Sequence, residues 1–196
     1  MKYLRMLFVA LGGLLISSPA YALLITPDTY NGTDWSYDTD AWSGPETSQS
    51  AIDSLIASII TPSVELYKAD FNPAMPPTES GALAGSYSTT FSPDTEDPTS
   101  ATINYLGGDY VGPNAYALVK DGNNNPGWYL FDLTAAGWDG MEVLQFDGFW
   151  AGGPGSISHI ALYGESTPVP EPATMLLFGA GLAGLAGLGR RRLLQA

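Results

Sequence analysis

The chain has 196 residues, a formal net charge of −13 at pH 7 and no cysteine. The lack of cysteine excludes disulfides, thiolate nucleophiles and cysteine-ligated zinc. Residues 23–169 contain two lysines and 19 of the 20 acidic residues, which gives this segment a net charge of −17. Such a surface repels phosphate backbones and attracts cations, so the composition argues against nucleic-acid binding.

The first 22 residues have the parts of a secretory signal peptide. Two basic residues precede an apolar run at 6–16, and Ala20 and Ala22 form an A-x-A cleavage site. The apolar run is shorter than the roughly 20 residues that a membrane span needs. We therefore expect residues 1–22 to be removed after Ala22 and the rest of the protein to be exported.

Residues 23–167 are predicted to form one mainly β domain, an antiparallel β-sandwich of jelly-roll-like type. Short runs rich in β-branched and aromatic residues alternate with clusters of Gly, Pro, Asn and Asp. The predicted strands lie at 64–68, 87–91, 101–106, 116–120, 128–133, 142–149 and 157–163. In the last strand, Ile160 and Leu162 should face one side of the sheet and His159 and Tyr163 the other.

One short amphipathic helix is predicted among the strands. Apolar residues recur at helical spacing from Ile52 to Ile60. We expect Ser50 and Asp53 to cap its beginning and Pro62 to end it. Its apolar face should pack on the edge or at the end of the sheets. After the last strand, residues 164–169 are predicted to be a linker that holds the folded body off the membrane.

The sequence offers little support for catalysis or a resident cofactor. His159 is the only histidine, so a histidine-based zinc site lacks a second ligand, and the G-x-S-x-G nucleophile motif is missing. We expect His159 to be a half-buried strand residue. No catalytic, cofactor-binding or metal-binding residue is predicted, and the protein is not expected to be an enzyme. A secreted hydrolase with a carboxylate pair is the least favoured alternative, because no acidic residue lies in a distinctive motif.

The loop after residue 120 has two interpretations. Asp121 begins a D-x-N-x-N sequence typical of calcium loops, and Asp132 stands at the twelfth position. However, Pro126 stands where such a loop needs glycine. The turn chemistry of a hairpin loop explains the same residues, and we favour it over calcium binding.

Five tryptophans suggest an alternative function. Trp128 and Trp150 lie at the ends of hydrophobic strands and are predicted core residues. Trp35, Trp42 and Trp138 lie among polar loop residues and are better candidates for exposure, although we favour packing for them as well because aromatic residues dominate core energetics. Because exposed tryptophan rings stack on sugars, a carbohydrate-binding module that uses these loop tryptophans is the alternative function.

The C-terminus is predicted to be a single transmembrane helix. Residues 173–189 carry no charge, are rich in glycine and alanine, and lie at the short end of the spanning range. Three arginines follow the apolar run and should stay cytoplasmic. They are Arg190, Arg191 and Arg192. Pro170 and Pro172 should keep the chain extended just before the membrane.

This tail resembles the PEP-CTERM sorting signal of exported bacterial proteins over residues 168–193. The resemblance rests on a proline-flanked motif, the apolar run and the arginine cluster. The motif residues are Val169, Pro170, Glu171, Pro172 and Ala173. Residues 116–163 also resemble, more loosely, the β-sandwich body of many such proteins, which carries no catalytic residue to transfer.

The resemblance implies a processing partner and a destination. The partner is an exosortase, a membrane cysteine protease or transpeptidase of Gram-negative bacteria that make exopolysaccharide. Before processing, the protein would be anchored transiently in the inner membrane. Afterwards it would reside at the cell surface or in the extracellular matrix, in association with exopolysaccharide or a biofilm. A plain membrane anchor without processing is the alternative.

Overall fold

The computed structural model describes residues 22–27, 41–61, 64–122, 124–169 and 179–181. These residues form a mainly β structure with antiparallel sheets and few helices, as predicted. Its elements are β1 (Leu23–Ile25), β2 (Ala41–Gly44), α1 (Gln49–Ile59), β3 (Glu65–Asp70), β4 (Thr78–Ser80), β5 (Tyr87–Ser92), β6 (Ser100–Tyr105), β7 (Tyr110–Val111), β8 (Tyr116–Lys120), β9 (Trp128–Asp132), β10 (Leu144–Phe146), β11 (His159–Tyr163) and β12 (Ser166–Thr167).

The strands form three sheets. One has the order β1-β10-β6-β5, the second β2-β9-β8-β11-β3-β4, and a small third sheet pairs β12 with β7. The strand pairs are antiparallel except for β1 and β10, which are parallel. All seven predicted strands are present. The jelly-roll likeness stays a prediction, and the sequence-adjacent pairs β3–β4, β5–β6 and β8–β9 lie side by side as hairpins.

The two larger sheets share one core. Ile103 and Phe146 of the four-stranded sheet belong to the same buried cluster as Phe131 and Ile160 of the six-stranded sheet. The four-stranded sheet is polar on its other face, because buried and exposed residues alternate along β5. Ile160 and Leu162 face this core, as the alternation in β11 predicts, whereas Tyr163 lies on the opposite face.

Helix α1 covers the outer face of the six-stranded sheet. Its buried residues Ile52 and Ile56 share a second cluster with Leu118, Leu130 and Ala161 of the central strands. The prediction that the helix packs on the edge or end of the sheets is therefore wrong. The physical reason is that β8, β9 and β11 are apolar on both faces, so their outer face also needs cover.

The beginning of α1 also differs from the prediction. The helix starts at Gln49 with Ser48 as N-cap, and no side chain caps it. Ser50 lies inside the first turn, where its carbonyl accepts the Ser54 hydroxyl at 2.8 Å. Asp53 accepts a hydrogen bond from the Gln49 side-chain amide at 2.7 Å instead of capping the helix. The helix ends at Ile59, and Pro62 lies outside the described residues.

The strand register gives the body two distinct ends. Tyr105, Tyr116 and Tyr163 lie at the end where β11 runs into β12, which we call the exit end. Lys120 and His159 lie at the opposite end, which we call the distal end.

The predicted targeting segments lie largely outside the described residues. These segments include Ala20 and 170–173 as well as the cluster at 190–192. Within the residues that the structure describes, no helix has the length and hydropathy needed to cross a membrane. Of the predicted transmembrane segment, only 179–181 are described.

Candidate functional site

The chain leaves the body through a paired strand. In β12, Ser166 pairs with Val111 and Thr167 pairs with Tyr110. Just before β12, the Gly112 amide donates to the Glu165 carbonyl at 2.7 Å. The prediction of a linker over 164–169 is therefore wrong for most of its length, because the short strand β7 offers backbone groups that hold it.

Close packing reinforces this pairing. A Cβ added to Gly112 would overlap with the Thr167 hydroxyl and lie 2.8 Å from the Thr167 Cβ. The Asn114 side-chain amide donates to Glu165 at 3.1 Å. Position 112 therefore needs glycine, because only a residue without a side chain lets β12 approach so closely.

A buried tyrosine ties β7, the partner of β12, to the core. The Tyr87 hydroxyl accepts a hydrogen bond from the Val111 amide and donates one to the Gly140 carbonyl, both at 2.8 Å. Burial raises the pKa of Tyr87 well above its usual range, so the hydroxyl stays protonated and can donate. Its ring lies 5.6 Å from that of Tyr105 and 6.3 Å from that of Trp138. The exit end is thus anchored on the aromatic core.

The N-terminal segment enters the body at the same end. The Leu23 amide donates to the Val143 carbonyl at 2.8 Å, and Leu23 pairs with Leu144 at the beginning of β10. Nearby, Gly140 packs against Tyr110 of β7. Ala22, the predicted cleavage residue, is exposed directly before β1. Both predicted targeting segments therefore join the body at its exit end.

Residues 168–192 match the family described as PEP-CTERM protein-sorting motif. The chain carries a PEP-CTERM sorting motif. The match begins at Pro168, directly after β12 ends, and confirms the predicted sorting signal. Such a motif indicates an exported protein that is anchored in the membrane before an exosortase processes it. No match was found among curated proteins or solved structures.

Away from the PEP-CTERM motif, the proposed calcium loop is not assembled. The buried Asp121 carboxylate accepts backbone hydrogen bonds from Gly122, Asn124 and Ser156. Asp132 lies at the other end of the hairpin, where it pairs with Tyr116. Asp121 therefore acts as the turn interpretation predicts, since its carboxylate oxygens accept the backbone hydrogen bonds that stabilise the loop.

His159 is more buried than predicted. Its exposed fraction is 5%, and the Nε2 atom has no hydrogen-bond partner among the residues that the structure describes. Burial, together with the nearby charge of Lys68, lowers the pKa of His159 to about 4, although Asp70, whose Oδ1 lies 3.8 Å from Nδ1, opposes this shift. Lys120 also lowers the pKa. The imidazole is therefore neutral at pH 7.

Three of the tryptophans pack against the body of the protein. Trp138 is buried, with 7% exposed, and its indole N–H donates to the Glu142 carbonyl at 2.8 Å. Trp138 therefore packs in the core, which is the favoured interpretation, and is not the exposed loop residue that the alternative function needs. Trp128 is buried beneath α1, as predicted, and Trp150 is half-buried against the core.

Neither of the other two tryptophans lies in a loop that the structure describes. Trp42 lies in β2, where its backbone pairs with Leu130, and not in a loop. Trp35 lies outside the described residues. The alternative function therefore loses the loop setting that the sequence suggested for Trp42.

A groove at the distal end was not predicted. It has a volume of about 380 Å³, within the range of ligand sites. Phe71 and Phe91 meet edge to face at its base, with ring centroids 5.5 Å apart. Its lining consists of Phe71, Ala74, Met75, Pro76, Pro77, Thr90, Phe91 and Asp94. In the sequence, the apolar run FNPAMPP at 71–77 could have indicated this groove, because a loop with so few polar side chains is expected to pack against other residues or a ligand.

Proposed function

We propose that this protein is a non-enzymatic component of the cell surface or extracellular matrix of a Gram-negative bacterium. An exosortase sorts it, and it associates with exopolysaccharide or a biofilm. One observation carries the proposal: the folded body ends at Thr167, and the matched sorting motif begins at the next residue. The non-enzymatic part follows from the sequence, which has one histidine, no cysteine and no nucleophile motif.

In the proposed route, the tail inserts into the inner membrane. Residues 173–189 would span it, with the basic cluster at 190–192 in the cytoplasm. The motif at 169–173 would then lie extended on the outer side, where the exosortase acts. After processing, the body would leave the membrane, free of its hydrophobic tail.

The charge of the body supports the matrix role. Its net charge of −17 keeps it hydrated and draws divalent cations to the surface. Acidic groups of a polysaccharide could be bridged to it through those cations. Sedimentation of the processed body with the producing strain's exopolysaccharide tests this, and we expect cosedimentation in calcium that a chelator reverses. Cosedimentation that is absent in calcium would contradict the matrix role.

Processing is tested with the full chain in a host that contains an exosortase. We expect the released protein to lack its basic tail by intact mass. The variants Glu171→Ala and Pro172→Ala should stay in the membrane with the tail intact. Glu165→Ala is the matched control, because this exposed acid lies just outside the matched residues. A released protein that still carries Arg190–Arg192 would overturn the proposal.

The distal groove favours carbohydrate binding as a second candidate. Its aromatic and proline lining beside Asp94 combines an apolar floor with a hydrogen-bond acceptor. This places the candidate away from the loop tryptophans, since Trp138 is buried. Oligosaccharide titration of the wild type, Met75→Ala and Asp94→Asn, with Met141→Ala as control, tests it. Binding that both groove variants retain would contradict the groove.

A further inference from the structure

We propose that the exit end of the body rests on the lipid headgroups while the tail is inserted. The contacting surface consists of the loops 106–109 and 139–143 beside β12. The inference rests on the proposed membrane insertion of the tail. It adds to the proposed function an orientation of the body and a lipid partner.

The first argument is the length of the tether. Because β12 is paired up to Thr167, only residues 168–172 separate the body from the predicted span at 173. Even fully extended, this connection covers about 20 Å, at up to about 3.6 Å per residue. A body of 147 residues has a radius of gyration of about 15 Å and is therefore roughly 40 Å across. The tether is too short for the body to turn its distal end toward the membrane, so the exit end stays within about 20 Å of the lipid surface.

The second argument is the chemistry of that end. Leu106 is 64% exposed and Met141 is 42% exposed. Tyr105 directly precedes Leu106, its ring lies 6.5 Å from that of Tyr110, and Tyr110 pairs with Thr167 of β12. Tyrosine is enriched at the level of the headgroups, where its ring is apolar and its hydroxyl meets water. The exposed apolar residues are thus continuous with the point where the chain leaves.

The third argument is charge, which selects the lipid. Asp109, Asp139 and Glu165 are exposed at the same end. These carboxylates would be repelled by anionic headgroups and keep the contact shallow. We therefore assign the surface to zwitterionic lipid.

The absence of cysteine makes a direct test simple, because single cysteines can carry a fluorophore. Leu106→Cys and Met141→Cys report on the proposed contact, and Met75→Cys at the distal groove is the matched control, since Met75 is 65% exposed. Ala180→Cys lies within the predicted span and reports insertion. Each labelled full chain is reconstituted into phosphatidylcholine vesicles that contain a nitroxide quencher, placed on the headgroup to report on 106, 141 and 75 and along the acyl chain to report on 180.

We expect strong quenching at 180, clear quenching at 106 and 141, and none at 75. A flexible glycine-serine insertion of about 20 residues after Thr167 should abolish the quenching at 106 and 141 but not at 180. Replacing part of the lipid with phosphatidylglycerol should weaken it. Quenching at 180 with none at 106 and 141 would overturn this inference while the proposed function stands.

Two other outcomes would also overturn the inference. No quenching at 180 would mean that the tail does not insert, which overturns the proposed membrane route as well. If the fluorophores at 106 and 141 become shielded from water only when an exosortase is added, the surface would be assigned to that protein instead of to lipid.

Discussion

The exit end and the distal end of the body are held together by different groups. At the exit end, backbone pairing holds β12 against β7, and the Tyr87 hydroxyl holds β7 against the core. At the distal end, the Asp121 carboxylate collects backbone amides from two loops, and a groove opens beside Phe71. The difference teaches that backbone pairing at one end fixes the path of the chain toward its sorting motif, whereas one buried carboxylate holds the loops at the other end.

The two ends also respond to pH in opposite directions. At the distal end, burial lowers the pKa of His159, so the unfolded chain binds a proton more readily than the folded one. At the exit end, partial burial raises the pKa of Glu65, whose carboxylate accepts a hydrogen bond from the Tyr163 hydroxyl. Acidification therefore destabilises the protein through His159 and stabilises it through Glu65.

The largest expected effect is a loss of stability of the whole body. It would affect the exit end and the distal end together and so remove the contrast between them. Ile56→Asp places an unpaired charge beneath α1, on the strands that connect the two ends. We expect a loss of at least about 3 kcal/mol in the free energy of unfolding, measured with urea. Ala57→Asp, exposed one residue further along the helix, should change it little. Equal stabilities for the two variants would contradict the packing of the helix on the sheet.

The pH dependence sharpens the contrast between the ends. As the pH falls from 6.5 toward 4, His159 should remove up to about 3 kcal/mol of stability, which is fully present above pH 6.5. His159→Gln should remove this loss and expose the opposite contribution of Glu65. Urea unfolding across this pH range measures both. A wild type and variant with parallel pH profiles would show that the histidine is not buried in neutral form.

A distal variant tests whether the loops there depend on one carboxylate. Asp121→Ala removes an acceptor shared by three backbone amides, and we expect a loss of about 2 kcal/mol. Asp121→Asn keeps one acceptor and should lose less. Exchange of amide hydrogens at 122–124 should accelerate while that at Gly112 of the exit end does not. Faster exchange at both ends would mean that the ends are not independent.

The smallest expected effect is confined to the exit end. Gly112→Ala forces Thr167 away from β7 and should weaken the pairing by about 1 kcal/mol. We expect faster amide exchange at 112 and 167 with little change in global unfolding. Gly85→Ala is the control, since an added Cβ there meets open space. Unchanged exchange in Gly112→Ala would contradict a tightly held exit strand.

The sequence was sufficient for the long strands and the helix. Runs such as 116–120 and 128–133 combine β-branched and aromatic residues over a length at which periodicity is readable. The sorting motif was readable too, because its proline-flanked glutamate, apolar run and arginines are contiguous in the chain.

The features that the sequence did not predict depend on contacts between segments of the chain that meet only in the folded structure. Strands β7 and β12 have two residues each, too few to show an alternating hydrophobic pattern in the sequence. They form because each supplies backbone hydrogen-bond partners to the other. The position of α1 could have been inferred from β8, whose apolar run Ala117–Val119 leaves no polar face. The burial of Trp138 follows from a turn that brings the Glu142 carbonyl to its indole, which composition does not reveal.

The entry of the chain beside its exit has a practical consequence for protein engineering. Because β1 starts and β12 ends at one end of the body, both junctions would lie on the same side of residues 22–169 if they were inserted into a surface loop of an unrelated host. The body is thus a transplantable cassette, separable from its own delivery signals. A hybrid of this kind would show what the acidic β-fold does when another carrier brings it to the same place.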